Sequence, residues 1–555
     1  MYLQKSSSTG YYWLSILSTL YLAGYFFYLT FYAVDVPYID DYDALLQYIL
    51  TYENASSLGK IKSLFLPHNE HIIVMTRLSA WLSYELTGHL SFRDIILFGN
   101  GLLVLQLAML FRLFQPSLRF SPVYFFIVVL VFINPQYSPT SFWAMAIWSN
   151  IWVFIPITLG IFLLTNPKKW AWAIPVAILA QFSNGSGIMI WPVGVFILLI
   201  TKRPLHHYLI WVVAGGISCV GYFYLMSLQP AAPGAFELRN LEMLPLNVLA
   251  FVGACGALIG GIAGQTMAVL LGSLVVGMSF LMWINYRKTN DRKDLILVSL
   301  MVFILLAALT VALFRAEKGM GIVIGGRYRH YSSLSIAICF LMSFRLITFR
   351  VNRLMAFLPW VVVLLMTGLS YFRDFGLRLT TEWRTVADYY NLLHNQADVY
   401  TTDGTPRFGK TTLQAHQTGL YRVPLRYDLA HQLKTATLLS FAPTPQIERN
   451  EVEKVDTVVC GNYWLLKEPQ FQFPSSSKDA LYAVLSQGLR RYIFPTSSSR
   501  NSFSAMIKER YYFKKGLEVE VYDCYVSLAN AKIAWLQAGD KPKLYATNTI
   551  ITVNP

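Results

Sequence analysis

Long apolar stretches, separated by short polar segments, fill the first two thirds of the chain. A helix needs about 20 apolar residues to cross a bilayer, so the shorter stretches must extend into their flanks. The pattern predicts spans at Tyr11–Val34, Ile95–Phe114, Ser121–Asn134, Asn150–Leu164, Trp170–Phe182, Gly187–Ile200, Tyr208–Leu228, Met267–Tyr286, Leu295–Phe314, Tyr331–Phe349 and Leu354–Phe372. We therefore expect an all-α polytopic transmembrane domain of about 11 spans over residues 1–372.

Loop charges set the expected orientation, because loops rich in Lys and Arg face the cytoplasm. The clusters that mark this side are Lys168–Lys169, Lys202–Arg203, Arg287–Lys293 and Arg350–Arg353. The first loop, residues 35–92, then faces outward, and so does the tail, residues 373–555. The chain is accordingly expected in a cell membrane as a multi-pass protein with an extracytoplasmic C-terminal domain.

The glycine-rich apolar segment Leu246–Gly264 tests this scheme. A crossing here would put the basic cluster Arg287–Lys293 outside, against the positive-inside rule. We interpret the segment as re-entrant or packed at the outer face. One additional span, with a weak violation of the rule, is the alternative.

The tail has the mixed composition of a soluble domain. Its pattern predicts helices at Glu382–His394 and Lys478–Leu489, and strands at Val455–Leu466, Gly516–Ser527 and Leu544–Val553. We expect a small α/β domain. Cys460 and Cys524 both lie in it, and they could pair if it faces an oxidising compartment.

Composition agrees with the hydropathy pattern. Hydrophobic residues make up 55% of the chain and charged residues 14%, whereas a soluble protein carries about 25% charged residues. Disordered and fibrous classes are thereby excluded. The net charge of +15 comes largely from short loops, so it indicates contact with lipid headgroups and not with nucleic acid.

An acidic pair, Asp40-Asp41, follows the first apolar stretch. Adjacent carboxylates near the membrane surface could act as a general base or hold a divalent cation. The alternative is structural: an acidic first turn at the start of a helix over Tyr42–Leu50.

A second polar group begins the next apolar helix, at His68-Asn69-Glu70-His71 followed by Arg77. The spacing is not that of a zinc protease motif. The pattern favours an orienting network of His68, Glu70 and His71, with Arg77 contacting an anion. An interfacial cap without chemistry is the alternative.

The third group contains Arg327, Tyr328 and Arg329, after Gly325-Gly326. The orientation above places these arginines outside, where the positive-inside rule disfavours them. Binding of a phosphate or pyrophosphate would explain them, since Arg offers paired donors. An inverted topology at this loop is the alternative. Separately, Ser183-Asn184-Gly185 is typical of a helix break that lines a cavity.

The combination resembles the GT-C superfamily of polytopic membrane glycosyltransferases, which includes protein O-mannosyltransferases and aminoarabinose transferases. The resemblance rests on the layout of the chain and on degenerate motifs, and it covers roughly Tyr11–Phe372. The motifs that carry it are Asp40-Asp41, His68-Asn69-Glu70-His71 with Arg77, Ser183-Asn184-Gly185 and Gly326-Arg327-Tyr328.

The resemblance implies transfer of a hexosyl or pentosyl group from a polyprenyl-phosphate donor to a glycan, lipid or protein acceptor. Asp40 or Asp41 would be the catalytic base, and Arg77, Arg327 and Arg329 would hold the donor phosphate. The pocket residues would be His68, Glu70, His71, Asn184 and Tyr328. No cofactor is certain; a divalent cation, Mg²⁺ or Mn²⁺, on Asp40 and Asp41 is left open.

Two other functions remain open at this stage. A polysaccharide polymerase or O-antigen ligase also places arginines around a lipid pyrophosphate, although the early acidic pair favours the transferase. A transporter or non-catalytic membrane protein is the second alternative. Transporters place ionisable residues in mid-helix, whereas here these residues gather at helix ends.

Overall fold

The structure is a computed structural model, and helices dominate it. It describes residues 8–114, 122–228, 241–315, 319–346, 353–397, 408–440, 445–451, 462–469, 471, 479–498, 500–522 and 530–551. The predicted pairing of Cys460 with Cys524 lies outside these residues.

Contacts divide the chain into two compact units. The first contains Met1–Ala33, Tyr52–Trp81 and Ile95–Asp374, and the second contains Val34–Thr51, Leu82–Asp94 and Phe375–Pro555. The predicted outer loop is thus shared between them, and two of its segments belong with the tail. A buried carboxylate joins these segments, because Asp35 accepts hydrogen bonds from the Ser91 hydroxyl at 3.3 Å and the Arg93 amide at 3.2 Å.

The α-helices up to the tail follow one another with short connections. They are α1 Ser8–Tyr32, α2 Tyr48–Glu53, α3 Ser57–Leu64, α4 Val74–Thr87, α5 Phe92–Phe114, α6 Phe125–Phe132, α7 Ser138–Ser141, α8 Ala144–Ala146, α9 Phe154–Leu164, α10 Ala173–Gln181, α11 Ile190–Ile200, α12 Leu205–Met226, α13 Leu244–Val252, α14 Gly261–Thr289, α15 Arg292–Arg315, α16 Met320–Val323, α17 Arg329–Leu346 and α18 Arg353–Asn395. Short 3₁₀ and π segments extend several of them.

Seven helices of the described chain are long and apolar enough to cross a membrane. They are Thr9–Tyr32, Phe92–Phe114, Ala144–Leu164, Leu205–Met226, Gly261–Thr289, Arg292–Arg315 and Phe357–Asn395. Two shorter apolar helices, Trp170–Gln181 and Gly185–Ile200, accompany them. A polytopic membrane domain accounts for this set, whereas the count of about 11 spans and the side of each loop stay predictions.

Apolar surface on these helices supports membrane embedding. In the most apolar 18-residue stretch of α12, only 17% of the residues are buried inside the protein. Its side chains Ile217, Val220 and Phe223 are at least 59% exposed. Soluble proteins rarely expose apolar patches of this extent, because water disfavours them. Lipid is the solvent that fits such faces.

The glycine-rich segment folds back on α14. Helix α13 continues into a 3₁₀ turn at Ala254–Ile259, and the chain reverses at Gly260 and Gly261, both with positive φ. A Cβ on Gly253 would lie 2.0 Å from the Ala268 carbonyl oxygen, and one on Gly272 would lie 1.9 Å from that of Leu249. Such close backbone approach is typical of small residues at membrane helix contacts. The segment is therefore a helical arm packed on α14; whether it crosses the bilayer stays a prediction.

The second unit contains the expected α/β domain. Its remaining elements are α19 Gly409–Gln417, α20 Leu429–Thr435, α21 Phe503–Glu509, β3 Thr437–Ser440, β4 Gln446–Glu451, β5 Asn462–Glu468, β6 Ala480–Gln487, β7 Arg490–Pro495, β8 Leu517–Tyr522, β9 Ala531–Ala538 and β10 Lys543–Ile551. Within the described residues they form a five-stranded sheet in the order β3-β10-β9-β6-β7 and a three-stranded sheet in the order β4-β5-β8. All neighbours are antiparallel except β10 and β3.

Most tail predictions are confirmed, and one is wrong. The strands expected near residues 462–466, 516–522 and 544–551 are present, and α18 covers the helix expected at Glu382–His394. Lys478–Leu489, expected to be helical, instead contains strand β6. This strand lies between β9 and β7 and is buried on both faces, so its apolar run has no period-2 signal.

An ion pair links α18 to the segment before α20. Arg426 Nη2 lies 3.2 Å from Glu382 Oε1. Glu382 follows the apolar part of α18, and its side chain is 10% exposed. Burial raises the pKa of Glu382 from 4.5 to about 7, although Arg426 and Tyr427 oppose the shift.

We predict that Gly272→Ala destabilises the protein and that Gly277→Ala does not. The new methyl at position 272 would collide with a backbone carbonyl, which cannot move as a side chain can, and overpacking costs about 1–3 kcal/mol. Gly277 lies in the same helix with open space around its Cβ position. Thermal unfolding in detergent measures the difference; equal melting temperatures would contradict the close packing.

We predict that Glu382 makes stability depend on pH. Because its folded pKa lies above its unfolded value, its stabilising effect is complete below about pH 4.5 and is lost as pH rises through about 7. The loss is up to about 3 kcal/mol. Glu382→Gln should therefore gain melting temperature relative to wild type between pH 5 and pH 8. Asp540→Asn, which removes an exposed carboxylate of the same unit, should show no such trend.

Candidate functional site

The acidic pair lies in a tight turn of the second unit. Ile39 takes a positive φ of 46°, and the Asp41 carboxylate accepts the Tyr38 amide at 3.1 Å. Asp41 is only 1% exposed, whereas Asp40 is half-buried. Asp41 therefore holds the turn, and Asp40 is the more accessible of the two carboxylates.

Arginines of α18 lie near this turn. Burial raises the pKa of the Tyr38 phenol, and the charges that act on it include Arg384, Arg378 and Asp41. Arg378 is 6% exposed, and Arg384 lies 3.8 Å from Asp388. The turn is thus a mixed-charge site and not an isolated acidic patch.

Two π-helical segments adjoin candidate residues. One, Tyr42–Gln47, begins directly after Asp41, and its N-cap makes no side-chain hydrogen bond to the helix. The other, Ile147–Ile151, contains Asn150, whose Oδ1 accepts a hydrogen bond from Asn184 Nδ2 at 3.0 Å. π-Helical turns are rare and occur frequently at functional sites. The structural alternative of an acidic first turn agrees with this start, since the helical segment begins at Tyr42 and carries Asp43 in its first turn.

The His68–His71 motif forms a short hairpin in the first unit. Strands β1 Pro67–His68 and β2 His71–Ile72 pair around Asn69, which has a positive φ of 48°. Buried Arg77 supports it, since its guanidinium donates to the carbonyls of Leu64, Leu66 and Pro67. This geometry gives Arg77 a positioning role; contact with a donor phosphate stays a prediction.

The tip of this hairpin carries charge. Glu70 forms an ion pair with Arg315, and both side chains are partly exposed. Exposed pairs of this type contribute about 0–1 kcal/mol to stability, so the pair can open at little cost. Burial lowers the pKa of His71 below its usual value, which makes its imidazole neutral at pH 7.

The hairpin packs on the helix break around Asn184. A Cβ on Gly185 would lie 3.2 Å from His71 Nδ1, and the Val74 amide donates to the Phe182 carbonyl at 3.0 Å. Asn184 Oδ1 accepts the Ser186 amide at 2.9 Å and so begins the 3₁₀ turn Gly185–Met189. The structure thus brings the second motif and the helix break together.

The Arg327 turn lies at the start of α17. Gly326–Tyr328 forms a 3₁₀ turn whose glycine contacts Pro139, and the Arg327 guanidinium stands 5.2 Å from the Tyr328 ring centroid. Arg327 is exposed. A helix N-terminus carries a partial positive charge, so this turn combines the dipole of an 18-residue helix with arginine side chains.

A third arginine, Arg373, acts electrostatically on Arg329, which follows the Arg327 turn. Arg329 Nε donates to the Ile324 carbonyl at 3.1 Å. Burial lowers the pKa of Arg329, and the nearby positive charge of Arg373 lowers it further. Two guanidiniums that repel each other are stabilised by an anion between them.

Sequence reasoning missed Arg373, Arg378 and Arg384. A signal for them exists, because all three follow the last apolar stretch on the side predicted to be outer. The positive-inside argument that selected Arg327 applies to them equally. Among the described residues no group of three or more His, Cys, Asp or Glu side chains could hold a metal ion. Two carboxylates fit only a sparse Mg²⁺ site completed by substrate oxygens.

Comparisons with protein-family profiles, curated proteins and solved structures find no match for this chain. Functional inference therefore rests on the geometry of its own residues. That geometry comprises an acidic turn with arginines in the second unit, and the histidine hairpin and an arginine group in the first.

We predict that Arg77→Lys loosens the hairpin. A lysine cannot reach three carbonyls with a planar fork, and each lost bond from a charged donor costs about 1.5–3 kcal/mol. Hydrogen–deuterium exchange in residues 64–74 should accelerate by about tenfold or more. Lys62→Gln, an exposed change nearby, is the control. Unchanged exchange in Arg77→Lys would remove the positioning role.

Proposed function

We propose that the protein is an integral-membrane glycosyltransferase that uses a polyprenyl-phosphate sugar. The observation that carries the proposal is the 3₁₀ turn Gly326–Tyr328 at the N-terminus of α17, where Arg327 is exposed and the charge of Arg373 acts on Arg329. A lipid phosphate supplies the anion that these groups favour, and the apolar helices of the same unit offer a surface for its chain. The resemblance to GT-C enzymes points to the same donor.

In this proposal Asp40 is the general base. It accepts the proton of an acceptor hydroxyl or amine, whose oxygen or nitrogen then bonds to the anomeric carbon of the sugar. The bond between that carbon and the phosphate oxygen breaks, and its electron pair stays on the polyprenyl phosphate. Arg327, Arg329 and Arg373 stabilise the negative charge that develops there.

Roles for the other candidates follow from their geometry. Arg77 positions the hairpin, and neutral His71 offers a hydrogen bond to a sugar hydroxyl. Glu70 and Arg315 form a pair that substrate can open. Asp41 fixes the turn that presents Asp40.

A binding experiment separates phosphate recognition from turnover. Farnesyl phosphate should raise the melting temperature of purified wild-type protein, and farnesol should not. A ligand at 100 times its dissociation constant stabilises by about 2.7 kcal/mol. Arg327→Gln, Arg329→Gln and Arg373→Gln should lose the effect, whereas the exposed Arg112→Gln control should retain it. Equal stabilisation by farnesol would overturn the phosphate site.

Turnover is measured as release of polyprenyl phosphate from polyprenyl-phosphate hexose or pentose in proteoliposomes that contain cell-envelope acceptors. Asp40→Asn should retain farnesyl-phosphate binding and lose about 100-fold or more of the rate. Release only from lipid pyrophosphate glycans would favour the polymerase or ligase alternative. Full turnover in Asp40→Asn would contradict the assignment of the base.

A further inference from the structure

A cavity of about 380 Å³ opens in the second unit. Helices α18 and α20, the segment between them that leads into α20, and strands β6 and β9 supply its lining. Buried residues of the lining include Trp383, Leu429, Gln432, Tyr482 and Ala538. Its volume lies within the range of small-molecule sites, and none of the residues of the proposed transfer site lines it.

Two buried polar groups of this cavity have spare hydrogen-bonding capacity. Gln432 is only 7% exposed, and its Oε1 accepts the Gly539 amide at 3.2 Å. Its amide nitrogen has no partner among the described residues. The hydroxyl of Tyr482, a residue 2% exposed, likewise has none within the described part of the chain. Neither atom is among the fully buried unpartnered polar atoms of the described residues, so both are open to a ligand or to water in the cavity.

Charges of both signs line the cavity. Glu382 pairs with Arg426, and the Tyr427 hydroxyl also favours the charged form of its carboxylate. Asp540 and His431 are exposed residues of the same lining. An anionic ligand would meet two carboxylates, and a cationic one would meet the Arg426 guanidinium. A neutral ligand with many hydroxyl groups is repelled by neither the carboxylates nor the guanidinium.

We propose that this cavity binds a single uncharged sugar unit of a glycan. Sugar hydroxyls both donate and accept, which matches the donors of Gln432 and Arg426 and the acceptor oxygens of Glu382. The apolar faces of a sugar ring fit the aromatic walls of Trp383 and Tyr482. Because the raised pKa of Glu382 lies at about 7, its carboxyl exchanges between accepting and donating forms near neutrality.

Saturation-transfer NMR on the full-length protein tests the site, in a sugar-free detergent that cannot compete. The probes are glucose, galactose, mannose and arabinose, with dissociation constants expected near about 1 mM for ligands of this size. Ring-proton signals of at least one probe should fall about fivefold or more in Gln432→Leu and Glu382→Gln. Arg422→Ala, an exposed change in the neighbouring loop, is the control.

Variants of the transfer site distinguish this proposal from the proposed function. Arg327→Gln and Asp40→Asn should leave the sugar signals unchanged, whether or not they abolish transfer. Loss of the signals in Arg327→Gln would assign the binding to the transfer site and overturn the cavity site. Absence of signal for all four sugars at about 20 mM, or preferential binding of inorganic phosphate, would also overturn it.

Discussion

An uncompensated charge in the apolar part of a membrane costs about 3 kcal/mol or more, and this constraint explains where the polar residues of the first unit lie. Asp294 has no exposed surface, and its carboxylate accepts hydrogen bonds from the side chains of Arg345, Asn285 and Thr289. Asp374, near the end of the last apolar stretch, accepts hydrogen bonds from Tyr28 and Ser138. Because each buried carboxylate is satisfied by groups on other helices, the same contacts that remove the electrostatic cost also fix how those helices pack.

Arginine side chains in this unit have different roles, and the groups that each one contacts determine which role it has. Arg345 pairs with Asp291 and Asp294 and ties the loop before α15 to α17. Arg77 donates to backbone carbonyls and holds a hairpin. Arg329 instead lies within the field of Arg373, another cation. Like charges close to one another favour a bound anion, which is why the proposal places the donor phosphate at the α17 turn.

The apolar stretches predicted the long helices well, because a hydrophobic run of sufficient length in a membrane has no alternative to helix. The tail was predicted less completely. Strand β6 lies in the middle of a sheet, so its neighbours and not its own pattern determine its state. Helix α18 illustrates a second limit: its apolar part was recognised, yet it continues through charged residues to Asn395, and no signal at Phe372 marked the continuation. The packing of the α13 arm on α14 depends on which glycines face which carbonyls, which spacing alone does not specify.

The candidate site shows a similar limit: the sequence reveals unusual residue types, whereas only the structure reveals which groups they contact. Sequence reasoning selected Asp40, Asp41 and Arg327 because their residue types are unusual at their positions, and that test needs no knowledge of contacts. It did not foresee that Arg77 donates to the carbonyls of Leu64, Leu66 and Pro67, which a turn brings to the guanidinium. It missed Glu382 altogether, since a lone glutamate in a charged helix is unremarkable until burial raises its pKa. Charge then distinguishes the two proposals: several arginines near one turn favour a phosphate, whereas a paired Glu382 and Arg426 favour a neutral ligand.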